Sequence, residues 1–335
     1  MTRPTIVITQ PIHAEVAAQL ATVGTLDINP GPEPLGADEL ATRLARADAM
    51  MGFMTDRVDA ALLGAAPSLK IVACALKGYD SYDVDACTRA GVWMSIVPDL
   101  LTAPTAELAV GLAIALGRHI QAGDARVRQG QHQGWRVQLY GAGLDGAVVG
   151  IVGMGQVGRA IAQRLQGFGC REILGADVVA ATAPGVQPVA LDDALARSDV
   201  LFVAAPLTRD NRHMIDAARL GRCKPGQLMI NVGRGSVVSE VAVADALQRG
   251  ALGGYAADVF EFEDWGLPDR PTQIAPALLA APNTLFTPHI GSAVRDVRRA
   301  IEQRAADNII AVLSGRVPPD AINTPNPRPL RARAA

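Results

Sequence analysis

The chain has 335 residues, of which 49% are hydrophobic and 19% are charged, and its formal net charge is −2. This length suggests two domains, and this composition excludes an intrinsically disordered chain. No excess of basic residues exists to hold a phosphate backbone, which argues against nucleic acid as the main partner.

Cysteine and histidine usage gives no sign of a metal or disulfide framework. The four cysteines form no C-x-x-C pair, and the five histidines lack metal-ligand spacing. The N-terminal stretch MTRPTIVITQPIHAE lacks the apolar core of a signal peptide, and the longest apolar run, Leu108 to Gly117, is too short to cross a bilayer. We therefore expect a soluble cytoplasmic protein without a bound metal.

The first part of the chain alternates short apolar runs with Ala- and Leu-rich stretches of helical spacing. The predicted strands are Thr5–Thr9, Thr25–Asn29, Ala49–Met54, Leu69–Ala75 and Val92–Val97. Near-continuous apolar strands between helices are typical of a parallel sheet that is covered on both faces. Pro104 then suits the first turn of a helix, and residues 105–130 predict one long helix.

A second β/α series begins at Ala147. Its predicted strands are Val148–Val152, Glu172–Ala176, Val200–Ala205, Leu228–Val232, Gly254–Val259 and Leu285–Pro288. A charged helix at about 294–313 and a Pro/Arg-rich tail follow, and we expect the tail, 326–335, to be mobile. These elements predict an α/β protein with two doubly wound parallel-sheet domains and a ligand cleft between them.

A glycine-rich loop follows the first strand of this second series. Gly153, Gly155 and Gly158 have G-x-G-x-x-G spacing between an apolar strand and an amphipathic helix. The first glycine permits a tight turn, the second allows the backbone to approach a pyrophosphate, and the third lets helix and strand pack closely. The segment predicts a dinucleotide-binding site; a purely structural glycine turn is the alternative.

Asp177 lies about 20 residues beyond the loop, where an acid commonly binds the ribose diol. Its carboxylate would repel a 2′-phosphate, so we expect NAD to be favoured and NADP to bind more weakly. A strand shifted by one residue would place Ala176 at this corner instead.

Three polar side chains follow later strands of the same series. Arg234 lies in NVGRGSVVSE, Glu263 in DVFEFED and His289 in TPHIGSA. An arginine offers a planar fork for an oxyanion, and a carboxylate can hold an imidazole in one tautomer. Each of these residues alone is usually structural or solvated, but together, downstream of a dinucleotide loop, they predict a catalytic group.

Residues from about 70 to 312 resemble the D-isomer-specific 2-hydroxyacid dehydrogenases. The matching stretches are GMGQVGRAIAQRLQGFG, APLTRDNRHMI, KPGQLMINVGRGSVVSEVAVADAL, GGYAADVFEFE and NTLFTPHIGSA. The resemblance implies that Arg234 anchors the substrate, that His289 is the acid/base and that Glu263 is its partner. Whether His289 acts as general base or mainly as an electrostatic partner stays open.

The resemblance also implies a Rossmann NAD-binding domain at 101–290, a flavodoxin-like substrate domain at 1–100 and 291–325, and a homodimer. The implied cofactor contacts are Thr105, Gly153, Met154, Gly155, Gln156, Val157, Gly158, Asp177, Ala205, Pro206, Leu207, Val232, Gly233, Arg234, Asp258, His289 and Gly291.

The loop after the fourth predicted strand suggests an unusual substrate. Family members often carry an apolar or glycine-rich loop there, whose backbone N–H groups receive the substrate carboxylate. This chain reads CALKGYDSYDVDAC, and a small dianion would engage both Lys77 and Arg234. Together with five other stretches, this loop makes the chain resemble the phosphonate (phosphite) dehydrogenases of the family. The other stretches are AMMGFMTDRVDA, VPDLLTAPTAEL, GWRVQLYGAGLDG, DVFEFEDW and TPHIGSAVRDVRR.

This second resemblance implies the NAD-dependent oxidation of phosphite to phosphate with water as the nucleophile. The implied substrate contacts are Lys77, Gly78, Met54, Arg234, Trp135, Tyr140, Ser292 and Arg298. Taken singly, Lys77 would be a surface lysine and Met54 a core residue. The alternatives are an ordinary D-2-hydroxyacid dehydrogenase of the glyoxylate or hydroxypyruvate reductase type and, more remotely, a non-enzymatic NAD(H)-binding regulator.

Overall fold

The computed structural model describes residues 3–179 and 183–328. Its strands are β1 (Thr5–Ile8), β2 (Thr25–Ile28), β3 (Ala49–Gly52), β4 (Ile71–Cys74), β5 (Trp93–Ser95), β6 (Val148–Val152), β7 (Glu172–Ala176), β8 (Gln187–Pro188), β9 (Val200–Val203), β10 (Leu228–Asn231), β11 (Gly254–Ala257) and β12 (Thr284–Phe286). Its α-helices are α1 (Ala14–Val23), α2 (Ala37–Leu44), α3 (Ala60–Ala65), α4 (Val84–Arg89), α5 (Thr102–Gly117), α6 (Ile120–Arg128), α7 (Gln156–Leu165), α8 (Leu191–Arg197), α9 (Ala217–Leu220), α10 (Glu240–Gln248), α11 (Pro276–Leu279) and α12 (Arg295–Leu313). Two short 3-10 turns are Gly235–Val237 and Glu261–Glu263.

The described residues form two compact units. The first unit contains residues 3–101, 265–268 and 293–328. The second unit contains residues 102–179, 183–264 and 269–292. The short segment 265–268 therefore lies with the first unit, although the sequence gives no break that would separate it from its neighbours.

The first unit is built on a five-stranded parallel sheet with the order β2-β1-β3-β4-β5. Its five predicted strands are confirmed, each slightly shorter than its apolar run. Helix α12, which comes from the far end of the chain, completes the core: Ile301, Ala305 and Ile309 are buried together with Ile6 and Met51. The unit therefore needs both ends of the sequence to bury its apolar surface.

The beginning of the predicted mobile tail is held against this unit. The Arg328 guanidinium donates hydrogen bonds to the backbone carbonyls of Ala66, Leu69 and Ala90, at 2.6, 3.1 and 2.6 Å. The rest of that tail, 329–335, lies outside the described residues.

The second unit is built on a seven-stranded parallel sheet with the order β12-β11-β10-β9-β6-β7-β8. The chain starts at β6 in the middle and extends first to one side and then to the other. Loops at the carboxyl ends of β6 and β9 therefore diverge, which creates the crevice where nucleotides bind in such sheets. The two-residue β8 was not predicted, because an exposed Gln-Pro pair carries no strand signal.

The predicted single helix over 105–130 is wrong, because two helices, α5 and α6, occupy this stretch. His119 lies between them in the left-handed conformation, with φ at 50°. The Gly117 carbonyl accepts a hydrogen bond from the Ala142 backbone N–H at 2.8 Å, so it no longer needs a helical partner. Gly141 passes so close to this carbonyl that a Cβ there would lie 1.9 Å from it.

None of the helices over residues 3–179 and 183–328 combines the length and the hydropathy that a bilayer crossing requires. The same part of the chain holds no group of three or more His, Cys, Asp or Glu placed to bind a metal ion.

Candidate active site

The predicted catalytic residues follow three neighbouring strands of the second sheet. Arg234 comes after β10, Glu263 after β11 and His289 after β12, and these strands pair in parallel in that order. Because parallel strands end at the same edge of a sheet, the topology brings the three side chains to one edge.

His289 and Glu263 form a hydrogen-bonded pair. The imidazole Nδ1 lies 2.6 Å from Glu263 Oε2, and both side chains are partly buried. An ionised carboxylate only accepts, so the Nδ1–H donates and the ring keeps Nε2 as its proton-accepting atom. His289 has a φ of 54°, a left-handed conformation that few residue types adopt. The pair has the arrangement of an oriented acid/base.

Asp258 organises the loop that carries His289. Its Oδ1 accepts hydrogen bonds from the Thr287 hydroxyl at 2.6 Å and the Ile290 N–H at 2.8 Å, and its Oδ2 accepts one from the Gly291 N–H at 2.8 Å. Burial raises the pKa of Asp258, and these bonds oppose the rise. The carboxylate therefore fixes the backbone immediately after His289; its predicted contact with the cofactor stays a prediction.

Arg234 lies at the start of a turn that packs on the turn of Glu263. The Asn231 side chain accepts a hydrogen bond from the Gly233 N–H and donates one to the Arg234 carbonyl, both at 3.1 Å. A Cβ on Gly235 would lie 1.9 Å from the Phe260 carbonyl carbon, so the two backbones are in contact. Backbone contacts therefore fix the position of Arg234. The turn that follows Arg234 cannot move without displacing the turn that carries Glu263.

The glycine loop has the geometry that a dinucleotide requires. Gly153 has a φ of 91°, and a Cβ there would strike the backbone of Ala205. A Cβ on Gly158 would lie 2.0 Å from the Gly153 carbonyl oxygen. At Gly155, by contrast, a Cβ would meet no atom of residues 3–179 and 183–328 within 4 Å, apart from its chain neighbours and the backbone of its own helix. The protein's own packing does not demand a glycine there, whereas the close approach of a pyrophosphate does.

Asp177 directly follows β7, and Ala176 is the buried last residue of that strand. The Asp177 carboxylate accepts hydrogen bonds from the Met154 N–H at 2.6 Å and the Val179 N–H at 3.1 Å, and the residue is exposed. This geometry supports Asp177 over Ala176 as the corner residue. Residues 180–182 of the same corner lie outside the described part of the chain.

The other predicted cofactor residues line the same loops. The Gly291 Cα faces Thr105, since a Cβ there would lie 3.1 Å from the Thr105 hydroxyl. Likewise, a Cβ on Gly233 would lie 2.4 Å from the Ala205 carbonyl oxygen, and Gly233 is adjacent to Val232. Met154 is only 1% exposed, so its side chain is part of the core and only its backbone is available to a ligand. Gln156 and Val157 begin α7, whereas Pro206 and Leu207 follow β9.

In the first unit, the predicted substrate residues follow two adjacent strands. Met54 lies just beyond β3, and Lys77 and Gly78 lie just beyond β4. The Arg298 guanidinium of α12 lies 5.9 Å from the centre of the Phe53 ring, next to Met54. Burial lowers the pKa of Arg298. The structure therefore places Arg298 beside Phe53 in the core cluster that includes α12, whereas Met54 packs against the other cluster of the first unit, which contains Val58 and Tyr82.

The sequence prediction missed Asp56, which fixes the loop after β3. Its Oδ2 accepts hydrogen bonds from the Phe53 N–H at 2.7 Å and the Thr9 hydroxyl at 2.5 Å, and burial raises its pKa to about 6. The Tyr82 hydroxyl donates to the Phe53 carbonyl at 2.7 Å. An acid two residues after Met54 in the same predicted site could have drawn attention to this role.

Trp135 and Tyr140 are not packed into the second unit: they are 76% and 72% exposed on the irregular segment after α6. Ser292 is partly buried at the end of the His289 loop. Ser292 therefore lies on the same loop as His289. Trp135 and Tyr140 lie on an exposed segment that includes none of the predicted catalytic residues.

Comparison with known proteins identifies the family. The sequence profile of the "D-isomer specific 2-hydroxyacid dehydrogenase, NAD binding domain" matches residues 110–291. The chain belongs to the D-isomer-specific 2-hydroxyacid dehydrogenase family. This dehydrogenase is an oxidoreductase with two parallel-sheet α/β domains, and it uses NAD.

Relatives of this dehydrogenase cover almost its whole length. The glyoxylate reductase of Thermococcus litoralis is 33% identical over 329 residues, 96% of this chain and 97% of that protein. The crystal structure of the TT0316 protein from Thermus thermophilus has a TM-score of 0.88 at 31% identity and covers 95% of this chain and 100% of that one. The NADPH-dependent glyoxylate/hydroxypyruvate reductase of Sinorhizobium meliloti, in complex with NADP and malonate, has a TM-score of 0.82 at 28% identity, with 100% of each chain covered. Two of these three relatives are named for glyoxylate reduction, and none of the three is named for phosphite oxidation.

We expect Asp177→Asn to improve the use of NADP by this dehydrogenase. The amide oxygen can still accept from the Met154 N–H, but the negative charge that repels a 2′-phosphate is gone. The ratio of kcat/KM for NADP to that for NAD should rise by about 10-fold, which corresponds to about 1.4 kcal/mol. Steady-state kinetics with both cofactors measure this ratio, and an unchanged ratio would remove Asp177 from cofactor selection.

Proposed function

We propose that this enzyme interconverts a small 2-oxo acid and the corresponding D-2-hydroxy acid, with glyoxylate as the leading substrate. The observation that carries the proposal is the match to a glyoxylate reductase over 96% of the chain. The hydrogen-bonded pair of His289 and Glu263, with Arg234 on the neighbouring strand end, supplies the groups that this reaction needs.

In this reaction Arg234 holds the substrate carboxylate with its planar fork of N–H donors. His289 transfers a proton between its Nε2 and the oxygen on the reacting carbon. Glu263 keeps the imidazole in the required tautomer and stabilises its protonated form. When bound, the cofactor would supply the hydride chemistry of its nicotinamide ring, as the reduced form for the oxo acid and as the oxidised form for the hydroxy acid. The contact between Arg234 and the negatively charged substrate would stabilise the transition state by about 3–4 kcal/mol.

Phosphite is the second candidate substrate, and one residue specifically favours it. Lys77 follows β4 in the loop CALKGYDSYDVDAC, at a point where the family often has a small apolar residue. A lysine adds a positive charge that a monoanionic carboxylate does not require, but that a dianion such as phosphite does. The resemblance of this loop to that of the phosphonate dehydrogenases also supports it.

For phosphite, the same residues would act on water. His289 would accept a proton from the water that attacks phosphorus, and Lys77 and Arg234 would lower the repulsion between that oxygen and the anion. We also propose Met54, Gly78, Ser292 and Arg298 as contacts of the substrate.

Substrate assays with wild type and a Lys77→Ala variant discriminate between the two candidates. Nicotinamide absorbance is followed with glyoxylate and hydroxypyruvate in the reductive direction, and with phosphite in the oxidative direction. If Lys77 binds the substrate, Lys77→Ala should raise KM for that anion by about 10- to 100-fold and leave KM for the cofactor unchanged.

The variant Lys77→Arg, which keeps the charge, serves as the control. Turnover of glyoxylate without turnover of phosphite establishes the first candidate, and the reverse result establishes the second. No turnover of either class would overturn both.

We further propose that the enzyme is a homodimer. The segment from α6 to residue 140 exposes a set of large apolar side chains that a second subunit would cover: Ile120, Val127, Trp135, Val137 and Tyr140, each at least 51% exposed. Several large exposed apolar side chains on one segment are typical of an association surface. Trp135 and Tyr140 would then reach the site of the partner subunit.

A further inference from the structure

A second histidine, His213, lies beside the turn that carries Glu263. This turn, Glu261–Glu263, bears two glutamates, of which Glu263 bonds His289. Glu261 is only 7% exposed and bonds a different set of residues. The two glutamates of this turn therefore differ in their contacts: Glu263 bonds His289, and Glu261 does not.

Glu261 and Glu240 hold each other by reciprocal hydrogen bonds. Glu261 Oε1 accepts from the Glu240 N–H, and Glu240 Oε1 accepts from the Glu261 N–H, both at 2.8 Å. Glu240 Oε2 also accepts from the Ala275 N–H at 2.9 Å. Burial raises the pKa of Glu240, and the charge of Glu261 adds to this rise. Two buried carboxylates in one cluster require further donors to be stable.

His213 supplies such a donor. Its Nε2 lies 2.8 Å from Glu261 Oε2, so the ring N–H donates to the carboxylate. The backbone N–H of His213 donates to the Ser236 carbonyl at 2.6 Å, and the Ser236 N–H donates to Asp264 Oδ2 at 2.7 Å. His213 therefore bonds the turn that follows Arg234 through its backbone and the turn of Glu263 through its side chain.

Packing also restricts the two turns, Gly235–Val237 and Glu261–Glu263, in addition to these hydrogen bonds. Gly235 lies against the backbone of Phe260, and the Phe260 ring packs edge-on against Phe286 of β12, with the ring centres 5.6 Å apart. A change in the orientation of Glu261 would thus be transmitted along a single 3-10 turn to Glu263, two residues later.

We propose that His213 is a positioning residue: through Glu261 it holds Glu263 at the distance that orients His289. The proposal rests on the proposed roles of Glu263 and His289 in the reaction. A displacement of a catalytic group by about 1 Å is enough to lower a rate by about 100-fold, so a residue without contact to substrate can control turnover in this way.

Two substitutions at His213 test the proposal. Asparagine tolerates the left-handed backbone of His213, whose φ is 50°, but its side chain is too short to replace the Nε2 contact. Glutamine can place an N–H donor near the former Nε2. We expect His213→Asn to lower kcat by about 10- to 100-fold with little change in KM for NADH. His213→Gln should retain most of the wild-type kcat. His119→Asn, at a position with the same φ, controls for the substitution in this conformation.

A second measurement does not depend on turnover. In NMR spectra of protein with labelled histidine, the imidazole resonance of His289 should move in His213→Asn and return towards its wild-type position in His213→Gln. Wild-type kcat and an unmoved His289 resonance in His213→Asn would overturn the positioning role, as would an equal loss in both variants. Absence of turnover in the wild type would instead contradict the proposed function, while the resonance would still test the link from His213 to His289.

Discussion

His289→Asn should lower kcat by about 10²- to 10⁴-fold, the range expected when a general acid/base is removed. Asparagine suits this position, because it is among the residues that adopt the left-handed conformation that His289 has. Its amide can still donate to Glu263 in place of Nδ1–H, so the loop keeps its hydrogen bond. What is lost is Nε2, the atom that carries the proton.

Steady-state kinetics and NADH fluorescence together measure the effect. We expect the dissociation constant of NADH to stay within a few-fold of wild type, because the glycine loop is untouched. Addition of free imidazole should restore part of kcat if His289 transfers a proton, and should not do so if its role is mainly electrostatic. A variant with wild-type kcat would exclude His289 from the reaction, and His119→Asn, with the same backbone conformation, is the matched control.

Arg234→Lys should lower kcat/KM for the anionic substrate by about 10²- to 10³-fold. The charge is retained, but the planar fork that binds two oxygens of a carboxylate or phosphite is lost. The Arg234 guanidinium donates to the Gly233 carbonyl at 3.0 Å, but the Asn231 side chain also bonds the backbone of Gly233 and Arg234, so the loop keeps these bonds when the guanidinium is replaced. The effect therefore reports the guanidinium itself.

The measurement compares kcat/KM for the anion with the binding of NADH. We expect the first to fall and the second to change little. Arg249→Lys, at an exposed arginine paired with Asp245 one helical turn away, should show wild-type kinetics and serves as the control. If Arg234→Lys retained wild-type kcat/KM, the substrate would have to be anchored by other residues.

Strands were the most predictable part of the fold. The bounds of β6 and β7 agree with the sequence prediction, because a buried parallel strand is read directly as an apolar run between turn residues. The break between α5 and α6 was not predictable, because it depends on a contact of Gly117 with Gly141 and Ala142, far along the chain. A local pattern contains no information on such a contact.

The candidate site shows the same contrast. Arg234, Glu263 and His289 could be selected because each lies shortly after a predicted apolar strand and all three follow a dinucleotide loop. The residue pattern alone does not separate Glu263 from Glu261, because they are identical in type and two residues apart. The family resemblance selects Glu263, and the structure shows that Glu263 bonds His289 whereas Glu261 bonds His213. The role of Asp56 was hidden for a similar reason: its partners Thr9 and Phe53 are brought together by β1 and β3.

The completion of the first core by α12 has a consequence for synthesis. When the ribosome has produced residues 3–101, one face of the first sheet still lacks the helix that covers it, since Ile301, Ala305 and Ile309 have yet to be translated. The second unit, which apart from the short excursion 265–268 is continuous from residue 102 to 292, is made in the meantime. The amino-terminal sheet is thus translated first but acquires its full core last, and during that interval its apolar face is available to chaperones or to aggregation.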